Sequence, residues 1–435
     1  MMGRYRKIRF VTVFVGFVMA LALFAAPAAG GEIDDLKAQI KALMERLEAL
    51  EAREKKMKAD MMAAQEAARK KAVATGDFPG SWKMPGSNTS VSFSGYVKLD
   101  AIYDIDQDLG DSFFIYDWGG GASGILLDGD DSGQRKASLH ARQTRLRFDS
   151  LTPTSAGQLK TRIETDFYGG GNALRMRHAY ASLGPVLAGQ TWSTIMDANT
   201  YADTVDFEGP VGVIAVRRPQ VRYSQAMGKN LTMQVALEDP NAPTILTSSG
   251  TVSSKERLPN LLAALRLGTN WGAVNVSGLV GQVRYEEGAV EEDLAITALH
   301  LGANIGLGKD TRLWGTFNVG RGGLDKTMLG ASAAAVLGAD NELEALDSVG
   351  GFVGLTQNWS GSGFYYGWVE NDFEESAKAA HPSLSQSLQS IHANVWWSPA
   401  PKMRVGFEYM HGWRETNGGD EGDAARLQLG LVYSF

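Results

Sequence analysis

The stretch ARLQLGLVYSF, residues 425–435, decides the expected fold of this chain. Its apolar residues recur at every second position, the period of a β-strand, and share one face: Leu427, Leu429, Leu431, Tyr433 and Phe435. An edge strand with such a face would aggregate in a soluble protein. In a closed barrel the last strand pairs with the first, and lipid covers the apolar face. The segment therefore favours a β-barrel embedded in a membrane.

The beginning of the chain predicts export. Four basic residues in MMGRYRKIRF precede an apolar run over residues 10–24 and the small residues AAPAAGG. These are the parts of a secretory signal peptide, which we assign to residues 1–30. The apolar run is shorter than the roughly 20 residues of a membrane-spanning helix, which disfavours a helical anchor. With this leader, the terminal strand resembles the assembly signal of Gram-negative outer-membrane barrels, and we expect the protein in that membrane.

Segments with the same alternation recur along residues 91–435. In GQLKTRIETDF, residues 157–167, the face opposite Leu159 and Ile163 carries four charged residues: Lys160, Arg162, Glu164 and Asp166. In a membrane barrel the apolar face contacts lipid and the charged face lines a watery lumen. Short turns alternate with long polar loops, such as residues 325–346. The expected fold is all-β: a transmembrane antiparallel β-barrel of about 16 strands over residues 91–435, with both ends on the periplasmic side.

Residues 31–74 carry a heptad pattern that predicts an α-helical coiled coil. Apolar residues follow spacings of three and four, with charged residues and alanine between them: Ile33, Leu36, Ile40, Leu43, Leu47, Leu50, Met57 and Met61. A single amphipathic helix is the alternative. Ile at position a with Leu at position d favours a two-stranded coiled coil. Residues 75–90 form a linker rich in Gly, Pro and Ser, so we expect a periplasmic stalk that precedes the barrel.

Basic residues are concentrated between residues 134 and 222, where twelve Lys and Arg stand against seven Asp and Glu. The alternation directs several of them inward, and we predict eight pore-lining, solute-binding residues: Arg145, Arg147, Lys160, Arg162, Arg175, Arg177, Arg217 and Arg218. Arginine suits carboxylates and phosphates because its planar fork donates two parallel hydrogen bonds. Arg142 breaks the alternation, so we place it at a bulge or at a subunit contact.

A long loop follows the fifth predicted strand, at residues 195–218. In a barrel of sixteen strands, this is the position of a loop that folds inward and narrows the lumen. Its carboxylates form the predicted constriction set: Asp197, Asp203, Asp206 and Glu208. Acid on the loop opposite a basic wall would produce a field across the pore. Solvation of the carboxylates, or local ion pairs with arginines, is the equally weighted alternative.

Seven segments resemble the DcaP-like family of trimeric outer-membrane porins: GYVKLDAIYD (95–104), RLRFDS (145–150), RIETDFYG (162–169), LRMRHAY (174–180), GQTWSTIMD (189–197), DFEGP (206–210) and RRPQVRY (217–223). The resemblance implies a homotrimer that takes up small organic anions, dicarboxylates in particular, through the inward arginines. The trimer conflicts with the two strands that the heptads favour, and both states stay open. Other expected partners are outer-membrane lipid, lipopolysaccharide and, through the stalk, peptidoglycan.

Other functions find little support in the sequence. No GxSxG motif accompanies the six histidines, so we predict no enzyme and no catalytic residues. Gly119, Gly121 and Gly124 satisfy GxGxxG but lie in a polar loop with no following helix, and no cofactor is expected. Asp104, Asp106 and Asp108 begin like a calcium loop, but position twelve is Ile115, so no metal site is predicted. The net charge of -7 argues against nucleic acid. A structural tether to the cell wall, with the barrel as anchor, is the alternative function.

Overall fold

The computed structural model describes residues 30–72, 74–109, 124–130 and 135–435. The signal peptide predicted for residues 1–30 falls outside the described residues except for Gly30, so it stays a prediction. The molecule divides into two compact units, Met1–Ala74 and Thr75–Phe435.

The first unit contains one helix, α1 (Gly30–Ala72), of 43 residues. The predicted heptad positions with described side chains are mostly exposed: Leu36, Leu43, Leu47, Leu50, Met57 and Met61 each exceed half exposure. An exposed apolar seam along a helix suits association with partner helices. The coiled coil itself stays a prediction. None of the described helices has the length and apolar character needed to cross a membrane.

In its described part the second unit is built from strands, with one short α-helix, α2 (Glu375–Ala380), and two 3₁₀ helices, Gly170–Asn172 and Ala198–Thr200. In chain order the strands are β1 (Trp82–Lys83), β2 (Ser90–Asp104), β3 (Lys136–His140), β4 (Arg145–Thr154), β5 (Gly157–Gly169), β6 (Ala173–Leu183), β7 (Val186–Trp192), β8 (Arg217–Ala226), β9 (Leu231–Glu238), β10 (Thr244–Thr247), β11 (Gly250–Ser253), β12 (Asn260–Gly268), β13 (Gly272–Glu287), β14 (Val290–Gly306), β15 (Thr311–Arg321), β16 (Ala335–Leu337), β17 (Leu343–Ala345), β18 (Asp347–Gln357), β19 (Ser362–Asp372), β20 (Ser385–Trp397), β21 (Met403–Thr416) and β22 (Glu421–Ser434).

The large sheet closes into a barrel because β2 pairs antiparallel with the last strand, β22. Strands β3 and β4 both pair with β2 and together form one wall strand, so the barrel has sixteen strands, as predicted. Arg142 lies in the break between them. Its backbone oxygen accepts the N–H of Phe167, and its Nε donates to Asn172 Oδ1 at 2.8 Å. The expected bulge is therefore present, and β1 adds a short pairing with β2 within the predicted linker.

The two faces of the wall follow the alternation of the sequence. Ile163 is 51% exposed on the outer face, whereas Glu164 and Asp166 are buried on the inner face. Large apolar residues are exposed all around the outside, including Phe93, Val97, Leu146, Leu174, Val280, Phe317, Phe364, Phe407 and Leu429. Such an apolar exterior is stable only against lipid.

Two outer loops fold into the barrel. In the first, residues 193–216, Ile214 forms a β-bridge with Met328 of the second, residues 322–334. Both residues belong to a buried apolar cluster with wall residues such as Leu262 and Leu388. The prediction of a polar outer loop over residues 325–346 is therefore wrong for most of this segment, because small apolar residues there pack against the first loop and the wall.

The outer ends of the loops form a small cap. Strands β11, β10, β16 and β17 make a second sheet in that order. It packs on the upper part of the β13–β14 hairpin through an apolar cluster that includes Ile245, Val283 and Ile296. Among the described residues, no group of His, Asp or Glu is arranged to hold a metal ion.

Candidate functional site

A cavity of about 700 Å³ lies between the inward loop 193–216 and the wall strands β4 to β8. Its basic side is formed by Arg145, Arg175, Arg177, Arg217 and Arg218. Its loop side includes Tyr201, Asp206, Phe207, Glu208 and Val213, and Leu329 of the second inward loop also contributes. Five of the eight predicted basic residues thus meet around one space.

An irregularity in the wall brings two arginines together. The β5–β6 ladder shifts between Glu164 and Thr165, so that Arg177 becomes an extra residue in β6. Arg177 donates from Nε to Glu164 Oε1 at 3.0 Å and from Nη1 to Asp166 Oδ2 at 2.9 Å. Arg175 binds both oxygens of Asp166, at 3.0 and 2.7 Å. These two guanidinium groups are therefore largely neutralised within the wall.

Arg145 and Arg217 keep more of their charge for the cavity. Among the described residues, the closest ion-pair approach of Arg145 is 3.9 Å, to Glu164, and its Nε has no hydrogen-bond partner. Arg217 makes no ion pair with the described part of the chain, and its guanidinium lies 4.6 Å from the centre of the Trp192 ring. A ring holds a cation in place without cancelling its charge. These two residues supply the uncompensated positive charge of the site.

Aromatic side chains also support Arg145, Arg175 and Arg177. Arg145 lies 5.3 Å from the Tyr96 ring centre, and Arg175 lies 5.0 Å from that of Tyr168. The ring centre of Phe207, at the tip of the loop, lies 4.4 Å from that of Tyr168. It also lies within 5.7 Å of the guanidinium carbons of both Arg175 and Arg177. The sequence analysis did not single out these rings. For Tyr96 and Tyr168 the available signal was their inward position on β2 and β5; Phe207 lies in the loop and has no such signal.

The remaining predicted basic residues lie outside the cavity. Arg147 and Arg162 share Asp149, at 3.1 and 2.7 Å, nearer the short turn between β4 and β5. Lys160 is exposed two residues before Arg162. Residues two positions apart are separated by about 6.6 Å along a strand, so one set of inward side chains is spread along the length of the barrel.

The four loop carboxylates take different positions. Asp206 and Glu208 line the cavity opposite the arginines, and Asp206 Oδ2 accepts the N–H groups of Glu208 and Gly209. Asp203 pairs with Arg404 at 2.9 Å, and Asp197 caps the turn at Asn199. Local bonding therefore accounts for Asp197 and Asp203, whereas Asp206 and Glu208 face the basic wall.

The loop tip is fixed to the wall by charged groups that the sequence analysis did not identify. Lys98 donates to the backbone oxygen of Val205 at 2.7 Å. Glu408 Oε2 accepts the N–H groups of Val205 and Asp206. His392 Nδ1 lies 2.7 Å from Glu408, and both side chains are fully buried. The alternation of the sequence places these side chains on the inner face of the wall. It does not show which part of the loop they contact.

Comparisons with known proteins agree with this architecture. A family model described as DcaP outer membrane protein matches residues 19–435. The crystal structure of the outer membrane channel DcaP of Acinetobacter baumannii superposes with a TM-score of 0.71 at 26% identity, covering 83% of this chain and 100% of that chain. Outer-membrane expressed OmpT of Vibrio cholerae gives a TM-score of 0.51 at 13% identity, covering 81% of this chain and 99% of that chain.

Salmonella typhi OmpF in complex with daunomycin gives a TM-score of 0.50 at 11% identity, covering 80% of this chain and 98% of that chain. OmpT and OmpF share the fold alone with this protein. No curated protein sequence matches it. Because the family model spans nearly the whole chain and the barrel closes with sixteen strands, the chain belongs to the DcaP outer membrane protein family of channel proteins.

Proposed function

We propose that the barrel is a passive porin for small hydrophilic solutes that prefers organic anions, dicarboxylates in particular. The observation that carries this proposal is the pair Arg145 and Arg217, which line the cavity without a hydrogen-bonded carboxylate among the described residues. Charged hydrogen bonds from their guanidinium groups offset the hydration that an entering carboxylate loses. A small cation gains no such compensation at this wall.

The opposing loop tunes how long a solute stays. Asp206 and Glu208 repel an anion that Arg145 and Arg217 attract. Conduction requires binding that is favourable enough for entry and weak enough for release. We propose that the two sides together meet this requirement. Arg147, Lys160 and Arg162, closer to the short turns, then form a second basic level along the same path.

The assembly around the pore also belongs to this proposal. We place three copies in the outer membrane, with α1 of each forming a coiled-coil stalk in the periplasm and lipopolysaccharide around the outer half. The exposed heptad seam of α1 supports the association. A solved trimer form of Vibrio cholerae OmpT, at a TM-score of 0.50 and 12% identity, has the same fold. Peptidoglycan is the proposed partner of the stalk.

A tether to the cell wall is the second candidate, and α1 is the feature that favours it. A polar helix of 43 residues spans roughly 65 Å, which is long enough to reach well beyond the membrane surface. The tether does not require an open pore. Purified protein that inserts into planar bilayers without conducting would support the tether as the sole function.

Reversal potentials in a salt gradient across planar bilayers test the anion preference. We expect the wild-type protein to favour chloride over potassium and succinate to compete with chloride current. The double variant Arg145→Ala with Arg217→Ala should lower the anion-to-cation permeability ratio by roughly tenfold, a barrier change of about 1.4 kcal/mol. Arg257→Ala removes one guanidinium group from an exposed outer site and is the control for loss of a surface charge. Cation preference in the wild type overturns the proposal.

A further inference from the structure

The segment Pro240–Pro243, called the lip below, has a strained backbone at the mouth of the cavity. Asn241 and Ala242 have φ angles of 61° and 46°, in the left-handed region that residues with a Cβ rarely adopt. Ala242 also precedes Pro243, whose ring favours an extended conformation at the preceding residue. Such a conformation persists only where neighbouring groups hold it.

Side chains hold the lip through three hydrogen bonds, and the N–H of Ser254 donates to the backbone oxygen of Pro243 at 2.8 Å. The Lys326 ammonium donates to the backbone oxygen of Ala242 at 2.7 Å. The N–H of Asn241 donates to Asp239 Oδ1 at 2.9 Å. The N–H of Thr244, just after the lip, donates to Asp325 Oδ2 at 2.5 Å. Two of the three holding groups, Asp325 and Lys326, come from the second inward loop.

Lys326 is also hydrogen-bonded to the basic wall. Arg218 Nη2 donates to the backbone oxygen of Lys326 at 2.6 Å. Lys326 itself has a left-handed φ of 50°. Arg218 and Asn241 both line the cavity. Lys326 therefore lies between the wall of the cavity and its strained edge, with one contact to each.

We infer that Lys326 is a positioning residue that holds the lip beside the arginine wall and thereby limits the size of the anions that enter. This inference rests on the proposed function, because it assigns a size filter to the same cavity. Lys326 acts through Asn241 and Ala242 and touches no solute. Loss of its ammonium group leaves Ala242 without its bond to the second inward loop, and the lip moves away from the cavity.

Two readouts on full-length protein test the inference. The first is the permeability of citrate relative to succinate in planar bilayers. The second is the rate at which a water-soluble methanethiosulfonate reagent modifies Asn241→Cys, a unique thiol because the chain has no cysteine. We expect Lys326→Met to raise the citrate permeability by roughly tenfold, because one hydrogen bond from a charged group is lost. The thiol rate should rise by a smaller factor, because Asn241 is already exposed. Lys326→Arg, which can still donate to Ala242, should restore both.

Two further variants separate positioning from general damage. Lys309→Met removes a charge from an exposed short turn and should change neither readout. Ala242→Gly relieves the backbone strain, so it should restore the lip in the Lys326→Met background. Unchanged citrate passage and thiol reactivity in Lys326→Met, or failure of Lys326→Arg to restore them, overturns the inference. Wild-type cation preference would instead overturn the proposed function, and the thiol rates would still report on the lip.

Discussion

The two halves of the lumen differ although the same alternating strands build both. Beside β4 to β8 the inner wall carries arginines, and an open cavity remains between wall and loop. Beside β13 to β20 the inner wall carries neutral amides and hydroxyls, and the loop packs directly against them. Asn318 donates to the oxygen of Gly212 at 2.6 Å, Ser277 donates to that of Ile195 at 2.7 Å, and Ser390 accepts the N–H of Val211 at 3.1 Å.

The difference shows how the inner wall decides where the lumen stays open. Backbone groups of a buried loop need hydrogen-bond partners, and amide and hydroxyl side chains provide them without a charge to desolvate. Guanidinium groups keep water or carboxylates around them, so a loop that packed directly onto them would bury uncompensated charge. The neutral half therefore binds the loop near Ile195, Val211 and Gly212, whereas Lys98 and Glu408 hold the loop tip. The arginine-lined half keeps solvent.

The largest effect is expected where the loop and the neutral half approach most closely. A Cβ added at Gly212, whose φ is +79°, would lie 2.4 Å from the backbone nitrogen of Gly351 and 2.6 Å from the oxygen of Trp368. Gly212→Val should therefore release the loop from this half, since backbone atoms of two wall strands cannot move aside. We expect single-channel conductance to rise severalfold.

Gly268→Val is the matched control, because a Cβ at that position meets no atom within 4 Å. It should leave the conductance at the wild-type value. An unchanged conductance in a folded Gly212→Val protein would show that contact between loop and neutral half does not limit the pore, and the comparison between the halves would then lose its functional meaning.

The second effect concerns the charged half. Asp166→Asn removes the shared carboxylate of Arg175 and Arg177 and leaves two guanidinium groups less compensated. Loss of one partner from a buried ion pair costs up to ~5 kcal/mol, and we expect about 2 kcal/mol here because Arg175 is 32% exposed. Denaturant unfolding in detergent measures this loss, and reversal potentials should show a stronger anion preference.

Asp149→Asn makes the same chemical change at the ion pair of Arg147 and Arg162, outside the cavity. Its effect on selectivity should be smaller. Equal shifts in the two variants would mean that selectivity depends on the summed charge of the barrel and not on the cavity.

The contrast between the halves also marks what the sequence could predict. The alternation in residues such as Lys160 to Asp166 predicted the faces of the strands, and the basic segment predicted the side of the lumen on which the cavity lies. The alternation did not predict the bulge at Arg177, because a bulge interrupts the period of two residues. It also did not predict the contacts of Glu408 and Lys98 with the loop tip, because the period defines a face and contains no information about what lies opposite. The inward path of residues 322–334 was missed for the same reason.

A third prediction weakens the neutral half at one contact. Asn318 is fully buried, and its amide bonds both Gly212 and His300. Asn318→Ala leaves the oxygen of Gly212 without this donor, at a cost of about 1–2 kcal/mol. We expect larger fluctuations of the open-channel current with little change in mean conductance. Asn358→Ala, at an exposed turn, should leave the current noise unchanged.

The smallest effect is expected at the junction of the two halves, where the lip meets the second inward loop. Burial raises the pKa of Asp325 to about 6, against the opposing influence of the Thr244 N–H and Lys326. The closed lip therefore binds a proton more readily than an open lip, whose Asp325 titrates nearer its ordinary value of 3.8. Closure is most stable below about pH 4 and weakens as pH rises to about 6, because ionisation then favours the better hydrated open form.

Other charged groups around Asp325 set the size of this dependence. Arg218, Glu238 and Asp239 line the same small internal space, and the guanidinium group of Arg218 offsets part of the negative charge of the two carboxylates. Asp325 also stays within the folded barrel when the lip opens, so we expect less than roughly tenfold change in lip opening. Thiol modification of Asn241→Cys, corrected for reagent chemistry, should accelerate from pH 4 to 6 and then level off. Asp325→Asn, which cannot ionise but still accepts from Thr244, should abolish the acceleration; an identical pH profile in that variant would assign the dependence to another group.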